Sequence, residues 1–139
     1  MNKHLLVVAT VVLVSCFAAN GPARAQGADI KTIVSVNGPP VVVNQSSSLN
    51  MVGIFQVGGN TSATVVQNGT NNATGVLQFG GTNSASVGQT GVNNFAFVGQ
   101  TGQTGQSATS LVSQLGTMNT GAIAQFGAIN SSTVIQSSP

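Results

Sequence analysis

Eight glutamines set the period of this chain. Gln56, Gln67, Gln78, Gln89 and Gln100 follow one another at eleven-residue steps. Three extra residues then intervene, and Gln114, Gln125 and Gln136 resume the same step. Two residues after each stands a glycine, from Gly58 and Gly69 to Gly116 and Gly127, until Ser138 takes that place in the last unit. A period repeated this often constrains the fold more than any single motif, because every copy must adopt a conformation that stacks on its neighbours.

Within a unit, alternate residues carry the pattern. Two before each glutamine the residue is β-branched: Ile54, Val65, Val76, Val87, Val98, Val112, Ile123 or Val134. Four before it the residue is usually small, as in Ala63, Thr74, Ala85, Ala96, Ser110, Gly121 and Ser132, with Val52 in the first unit. Six before it is usually asparagine: Asn50, Asn72, Asn83, Asn94, Asn119 or Asn130, with Thr61 and Ala108 as the exceptions. Side chains two apart on a strand point to the same face. Asparagine, a small residue, Val or Ile, and glutamine therefore line one face of a seven-residue strand. The four residues after the glutamine, rich in glycine and polar residues, suit a tight arc.

A lone short strand is not stable in water, but identical strands stacked about 4.8 Å apart are. In such a stack valine covers valine, and each amide donates to one neighbour and accepts from the other. An inward-facing amide costs free energy only when unpaired, and a ladder pairs it. The outward residues divide the units into two kinds. Units ending at Gln56, Gln78, Gln100 and Gln125 show a largely apolar outer face, with Met51, Phe55, Leu77, Phe95 and Phe97. Those ending at Gln67, Gln89, Gln114 and Gln136 show many hydroxyls, with Ser62, Thr64, Ser84, Ser86, Thr109 and Thr133. The predicted repeat is thus about twenty-two residues. The fold class is all-β: an amyloid-like β-solenoid of strand–arc–strand repeats forming two facing parallel sheets. Residues 101–107 are expected to form a longer surface loop that leaves the stack in phase.

Composition excludes much else. Charged residues are 3% of the chain, against roughly a quarter in ordinary soluble domains. Lys3, His4 and Arg24 lie near the start, and beyond residue 26 the only charges are Asp29 and Lys31. There is no basic patch for nucleic acid. From Thr32 to Pro139 there is no Asp, Glu, His, Lys, Arg, Cys or Tyr. No proton carrier, activated nucleophile or metal ligand set is available in the repeats, so no enzyme activity and no cofactor is expected. Asn60, Asn68 and Asn72 begin glycosylation-like triplets that an Asn/Ser/Thr-rich composition produces by itself.

The first 25 residues read as an export signal. Lys3 is followed by a mainly apolar stretch, a break at Asn20-Gly21-Pro22, and a small-x-small cleavage site at Ala23-Arg24-Ala25. The alternative is a lipoprotein signal at Leu13-Val14-Ser15-Cys16, which would lipidate Cys16. Cleavage after Ala25 would remove the only cysteine, leaving neither disulfide nor thiol site. Residues 26–49 form a leader with strand propensity around Ile33. Gln45 lies eleven residues before Gln56, so this leader is read either as a degenerate capping unit or as a flexible segment. Residues 50–139 are the repeat solenoid. No lysine or inward charge in its terminal units stands against edge-to-edge pairing.

The stretch Gln78-Phe79-Gly80-Gly81-Thr82-Asn83-Ser84-Ala85-Ser86-Val87-Gly88-Gln89 resembles the curlin repeat pattern Q-x-G-x-x-N-x-A-x-x-x-Q. Gln89 to Gln100 fits it through Gly91, Asn94 and Ala96, and the other units fit in part. The resemblance implies a secreted subunit of curli, the extracellular functional amyloid fibres of bacteria. It implies a self-assembling homopolymer on the cell surface that serves adhesion and biofilm matrix. It also implies an outer-membrane export pore, a nucleating minor subunit as partner, and possible host or surface ligands. The last unit lacks a basic cluster, which favours the fibre-forming role over the nucleating one. Two other readings stand beside it: a monomeric solenoid adhesin or surface-binding protein, and a disordered matrix protein. The β-branched column disfavours the latter. For Phe95 and Phe97, packing within or between fibres is preferred over a carbohydrate or partner patch.

Overall fold

The computed structural model describes residues 29–36, 41–46, 48–103, 105–127 and 129–139. The stretch read as an export signal, with Cys16, lies outside them. The described chain forms ten strands: β1 (Ile30–Val36), β2 (Val42–Ser46), β3 (Met51–Val57), β4 (Asn60–Thr70), β5 (Ala73–Phe79), β6 (Thr82–Val92), β7 (Phe95–Thr101), β8 (Ser107–Thr117), β9 (Thr120–Phe126) and β10 (Asn130–Ser137). Odd strands build one five-stranded sheet in the order β1-β3-β5-β7-β9, and even strands the other, β10-β8-β6-β4-β2. Every pairing is parallel. The molecule is the two-sheet β-solenoid that the period predicts, with one strand of each sheet per turn.

Register follows the sequence period. Gln56 pairs with Gln78, Gln78 with Gln100, and Gln100 with Gln125 in the odd sheet. Gln67, Gln89, Gln114 and Gln136 align likewise in the even sheet. A turn also stands ahead of residue 50: β1 pairs with β3, and β2 with β4, which sets Gln45 beside Gln67 and Ser35 beside Gln56.

The core lies between the sheets. Val52, Ile54, Val65, Val76, Val87, Val98, Val112 and Ile123 are all buried there, with Ala63, Ala85 and Ala96 filling the narrower positions. Val43 and Val134, in the first and last turns, are partly buried because each has a neighbour on one side only.

The arcs are of two kinds, which the uniform sequence period conceals. After β3 and β5 the chain turns sharply, at Gly58-Gly59 and Gly80-Gly81. The inner even strands extend two residues further at each end than the odd ones, so β4, β6 and β8 each reach eleven residues. Gly69, Gly91 and Gly116 make this extension possible. Their φ values of 121°, 121° and 109° are open to glycine, and they stack so closely that a Cβ on Gly91 would overlap the carbonyl oxygen of Gly116. The chain then bends through a left-handed residue: Leu49, Asn71, Asn93 or Met118. The irregular step is a surface loop closed by Gln106 N donating to Gln103 O at 3.0 Å. Thr82 N donates to Gln106 O, and the stack resumes in phase.

Candidate functional site

The interior holds two amide columns of glutamine. In the even sheet the Nε2 of Gln45 donates to Oε1 of Gln67 (3.2 Å), Gln67 to Gln89 (2.8 Å), Gln89 to Gln114 (2.7 Å) and Gln114 to Gln136 (2.7 Å). In the odd sheet Gln56 donates to Gln78, Gln78 to Gln100 (2.7 Å) and Gln100 to Gln125 (2.9 Å). Every donor points towards the C-terminal end. The glutamines from Gln56 to Gln125 are at most 4% exposed, so the columns run through a dry interior. Unpaired amides would be costly there.

From Gln67 onwards each amide also donates across to the backbone of the opposite sheet. Gln78 Nε2 donates to the carbonyl of Ser62 (3.0 Å), Gln89 to that of Ala73 (3.2 Å), and Gln114 to that of Phe95 (2.9 Å). The asparagines Asn50, Asn72 and Asn94 reach across in the same way, their Nδ2 groups donating to the carbonyls of Gly69, Gly91 and Gly116 at 3.0–3.1 Å. Hydroxyls in the row of small residues join the same network. Thr74 Oγ1 accepts from Gln67 and donates to Gln89, while Ser110 Oγ accepts from Gln100 and donates to Gln125. In the sequence these residues read only as small; their spacings of seven, ten and fifteen residues from the glutamines give no hint of contact.

The asparagines divide by sheet. Asn50, Asn72, Asn94 and Asn119 form a third column in the odd sheet. Asn72 donates through both N and Nδ2 to Asn50 Oδ1 (3.1 and 3.2 Å), Asn94 does the same to Asn72, and Asn119 to Asn94. This column donates towards the N-terminal end, opposite to the glutamines. Asn83 and Asn130 lie in the even sheet, in a column interrupted by Thr61 and Ala108. Their Nδ2 groups bond backbone carbonyls of the adjoining arcs, Asn83 to Phe79 and Gly80, and Asn130 to Phe126. With alanine next in line, Asn83 Oδ1 is buried without a partner.

The two ends of the solenoid differ. At the first edge Asp29 occupies the asparagine column, its Oδ1 accepting from Asn50 N at 2.9 Å. Lys31 pairs in register with Val52, in the column of small inward residues, and stands exposed. This corrects the expectation that no inward charge marks a terminal unit: the terminal strand is β1, one turn earlier than residue 50. Asp29 could have been found by phase, except that Ser35 and Gln45 are ten residues apart rather than eleven. Ser35 also interrupts the glutamine column, and Gln56 Oε1 is buried with no partner beneath it. The strands of the last edge, β9 and β10, carry no charged side chain. Phe126, Ile129 and Ile135 there are each more than 70% exposed.

The outer faces follow the two predicted kinds. On the odd sheet Phe97 lies against Gly75, where an added Cβ would come within 3.0 Å of its ring. The rings of Phe55 and Phe79 stand 5.5 Å apart. Phe55, Leu77 and Phe97 border a shallow apolar depression over Gly53 and Gly75. Among the described residues there is no group of three or more His, Cys, Asp or Glu that could hold a metal ion.

These features define a repeat β-solenoid with an amide-laddered interior, a structural protein whose turns are interchangeable. The family model of the curlin associated repeat matches residues 69–102 and again residues 83–116. The two matches together span residues 69–116, so the central turns of the chain are curlin associated repeats, which supports a curli-type fibre subunit in general. No curated protein and no solved structure matches it.

Proposed function

We propose that this chain is the fibre-forming subunit of a curli-type functional amyloid, exported and polymerising end to end on the bacterial cell surface for adhesion and biofilm matrix. One observation carries the reading. The even-sheet glutamine column runs through all five turns from Gln45 to Gln136, and the stack has open strand edges at both ends to which a further copy can add in register. Backbone groups at an open edge are unpaired and favour the addition of strands. The chain-terminal turn has no basic cluster, which supports elongation rather than nucleation. An outer-membrane pore and a separate nucleating subunit are the partners such a fibre requires. The export signal at residues 1–25 supports secretion.

Dilution of the chain from denaturant tests this. The expected result is a rise in thioflavin fluorescence and fibre diffraction at about 4.8 Å and about 10 Å. A chain that stays folded and monomeric would make it a solenoid adhesin instead. One that stays unfolded would make it a disordered matrix protein.

A further inference from the structure

Each column glutamine from Gln56 to Gln125 is followed by one free choice and then a glycine. The free positions hold Val57, Asn68, Phe79, Thr90, Thr101, Leu115 and Phe126. Only at Asn68 does this pattern set an amide side chain directly before a glycine nitrogen, and among the described residues no other asparagine precedes glycine. We infer that Asn68-Gly69 is a spontaneous modification site: the unfolded chain converts there to isoaspartate and loses the ability to stack, while the folded solenoid protects the pair. The inference rests on the solenoid fold alone and does not require the solenoids to polymerise.

The step needs only water. The main-chain nitrogen of Gly69 gives its proton to solvent base and attacks Cγ of Asn68. The new C–N bond closes a cyclic imide as the C–Nδ2 bond breaks, and Nδ2 leaves as ammonia. Water then adds to either imide carbonyl and reopens the ring. One opening gives aspartate; the other leaves the main chain running through the former side chain, as isoaspartate. Nothing is oxidised or reduced. Glycine favours the attack because no side chain shields its nitrogen, and its wide φ/ψ range lets an unfolded chain reach the ring-closing geometry.

In the fold that freedom is gone. Asn68 lies between Ser46 and Thr90 in the ladder, and Gly69 pairs with Gly91. The Gly69 carbonyl accepts from Asn50 Nδ2 at 3.0 Å, and a Cβ on Gly69 would overlap the carbonyl oxygen of Gly91. Ring closure requires the peptide between Asn68 and Gly69 to rotate, and these contacts leave it no room. The Asn68 side chain is exposed, so the protection comes from the main chain and is lost only when the strand opens.

The two products differ in consequence. Aspartate keeps the main chain intact and points its carboxylate to solvent, so that product still stacks. Isoaspartate adds a main-chain carbon ahead of Gly69. Gly69 then leaves its place over Gly91, Asn50 loses its acceptor, and the residues leading to Asn72 no longer bring it onto Asn50. The glycine cannot be exchanged to avoid this, because its φ of 121° and its contact with Gly91 require it. Chain that folds promptly is preserved, and chain that lingers unfolded is withdrawn from the stack.

The test ages the full chain in denaturant at mildly alkaline pH, beside the same chain already folded and an Asn68→Thr chain in denaturant. Thr90 holds the equivalent place one turn on, so this variant should fold when fresh. Peptide mapping with electron-transfer fragmentation reads isoaspartate at position 68, and circular dichroism after dilution reads the fraction that refolds. The folded chain should gain isoaspartate there at least about tenfold more slowly than the chain in denaturant. The aged unaltered chain should lose refolding in step with isoaspartate, which should concentrate in the fraction that stays unfolded, while Asn68→Thr keeps its refolding. Equal rates in folded and denatured chain overturn the inference. So does an even spread of isoaspartate between refolded and unfolded fractions, a reading that holds even where the variant folds poorly. Loss of refolding by Asn68→Thr as fast as by the unaltered chain also overturns it. A fresh unaltered chain that never becomes ordered overturns the solenoid, and this inference with it, whereas a folded chain that forms no fibres overturns only the polymer reading.

Discussion

The Nε2 of Gln89 donates to the Oε1 of Gln114 at 2.7 Å although 25 residues separate them, as they do Gln100 and Gln125, where the other rungs of the glutamine columns span 22. The three extra residues are taken up wholly in the loop that follows β7. The column, and not the spacing along the chain, fixes the phase of the stack.

Gln89 is bonded on every side, so its removal is felt by several partners. Gln89→Leu would leave Gln67 Nε2 without its bond along the column and free the acceptors on Gln114 and Ala73. A loss of about 1–3 kcal/mol in guanidinium unfolding, followed by circular dichroism, is expected. Gln89→Glu should be worse at neutral pH, because a carboxylate cannot donate and its burial raises its pKa. The folded state then binds the proton more tightly than the unfolded one, so that variant should regain stability as pH falls.

Ser35 offers the reverse test. It sits where a glutamine would complete the odd-sheet column, and Gln56 Oε1 is buried beneath it without a donor. Ser35→Gln should supply that donor and raise stability by about 1 kcal/mol, measured as a higher unfolding midpoint. An unchanged or lower midpoint would mean that the first turn does not hold the column's geometry.

The arcs yield a pair of opposite effects. Gly91→Ala places a methyl group against the Gly116 carbonyl and should prevent formation of the ordered stack. Met118 adopts φ of 55°, a conformation that asparagine tolerates and methionine does not favour. Its counterparts in the neighbouring turns are Asn71 and Asn93, so Met118→Asn should stabilise by up to about 1 kcal/mol. Thermal unfolding of the two variants checks both.

Charge on the two faces of one strand separates core from surface. Val87 is 1% exposed, whereas Ser84 faces solvent on the same strand. Val87→Asp should abolish thioflavin-positive assembly, since a buried carboxylate without a partner is not tolerated. Ser84→Asp should only slow it through repulsion between stacked copies. Equal inhibition by both would contradict this assignment of faces.

Much of this architecture is legible because its rules are local and repeated. Parity along a strand separates Val87 from Ser84, and the eleven-residue step aligns Gln67 with Gln89. The two sheets are told apart by outer residues such as Phe97 and Thr109. What escaped the sequence depends on three-dimensional closeness. Thr74 bridges two glutamines because the opposite strand brings them within 3.2 Å, and no period marks that. The split among asparagines turns on Ala108 and Thr61, single exceptions whose effect is to deny Asn83 its column. Asp29 was hidden by the single residue missing between Ser35 and Gln45.

Interchangeable turns also bear on how such a chain can change over generations. A duplication or loss of one whole turn leaves the same columns meeting across the seam, as Gln89 meets Gln114 across its added loop. Copying errors that would ruin a protein with a unique core here alter only length. The cross-section that a growing fibre must match is unchanged, so chains of different length remain compatible building blocks. Lineages can thus try out longer and shorter subunits without first losing the ability to join those they already make.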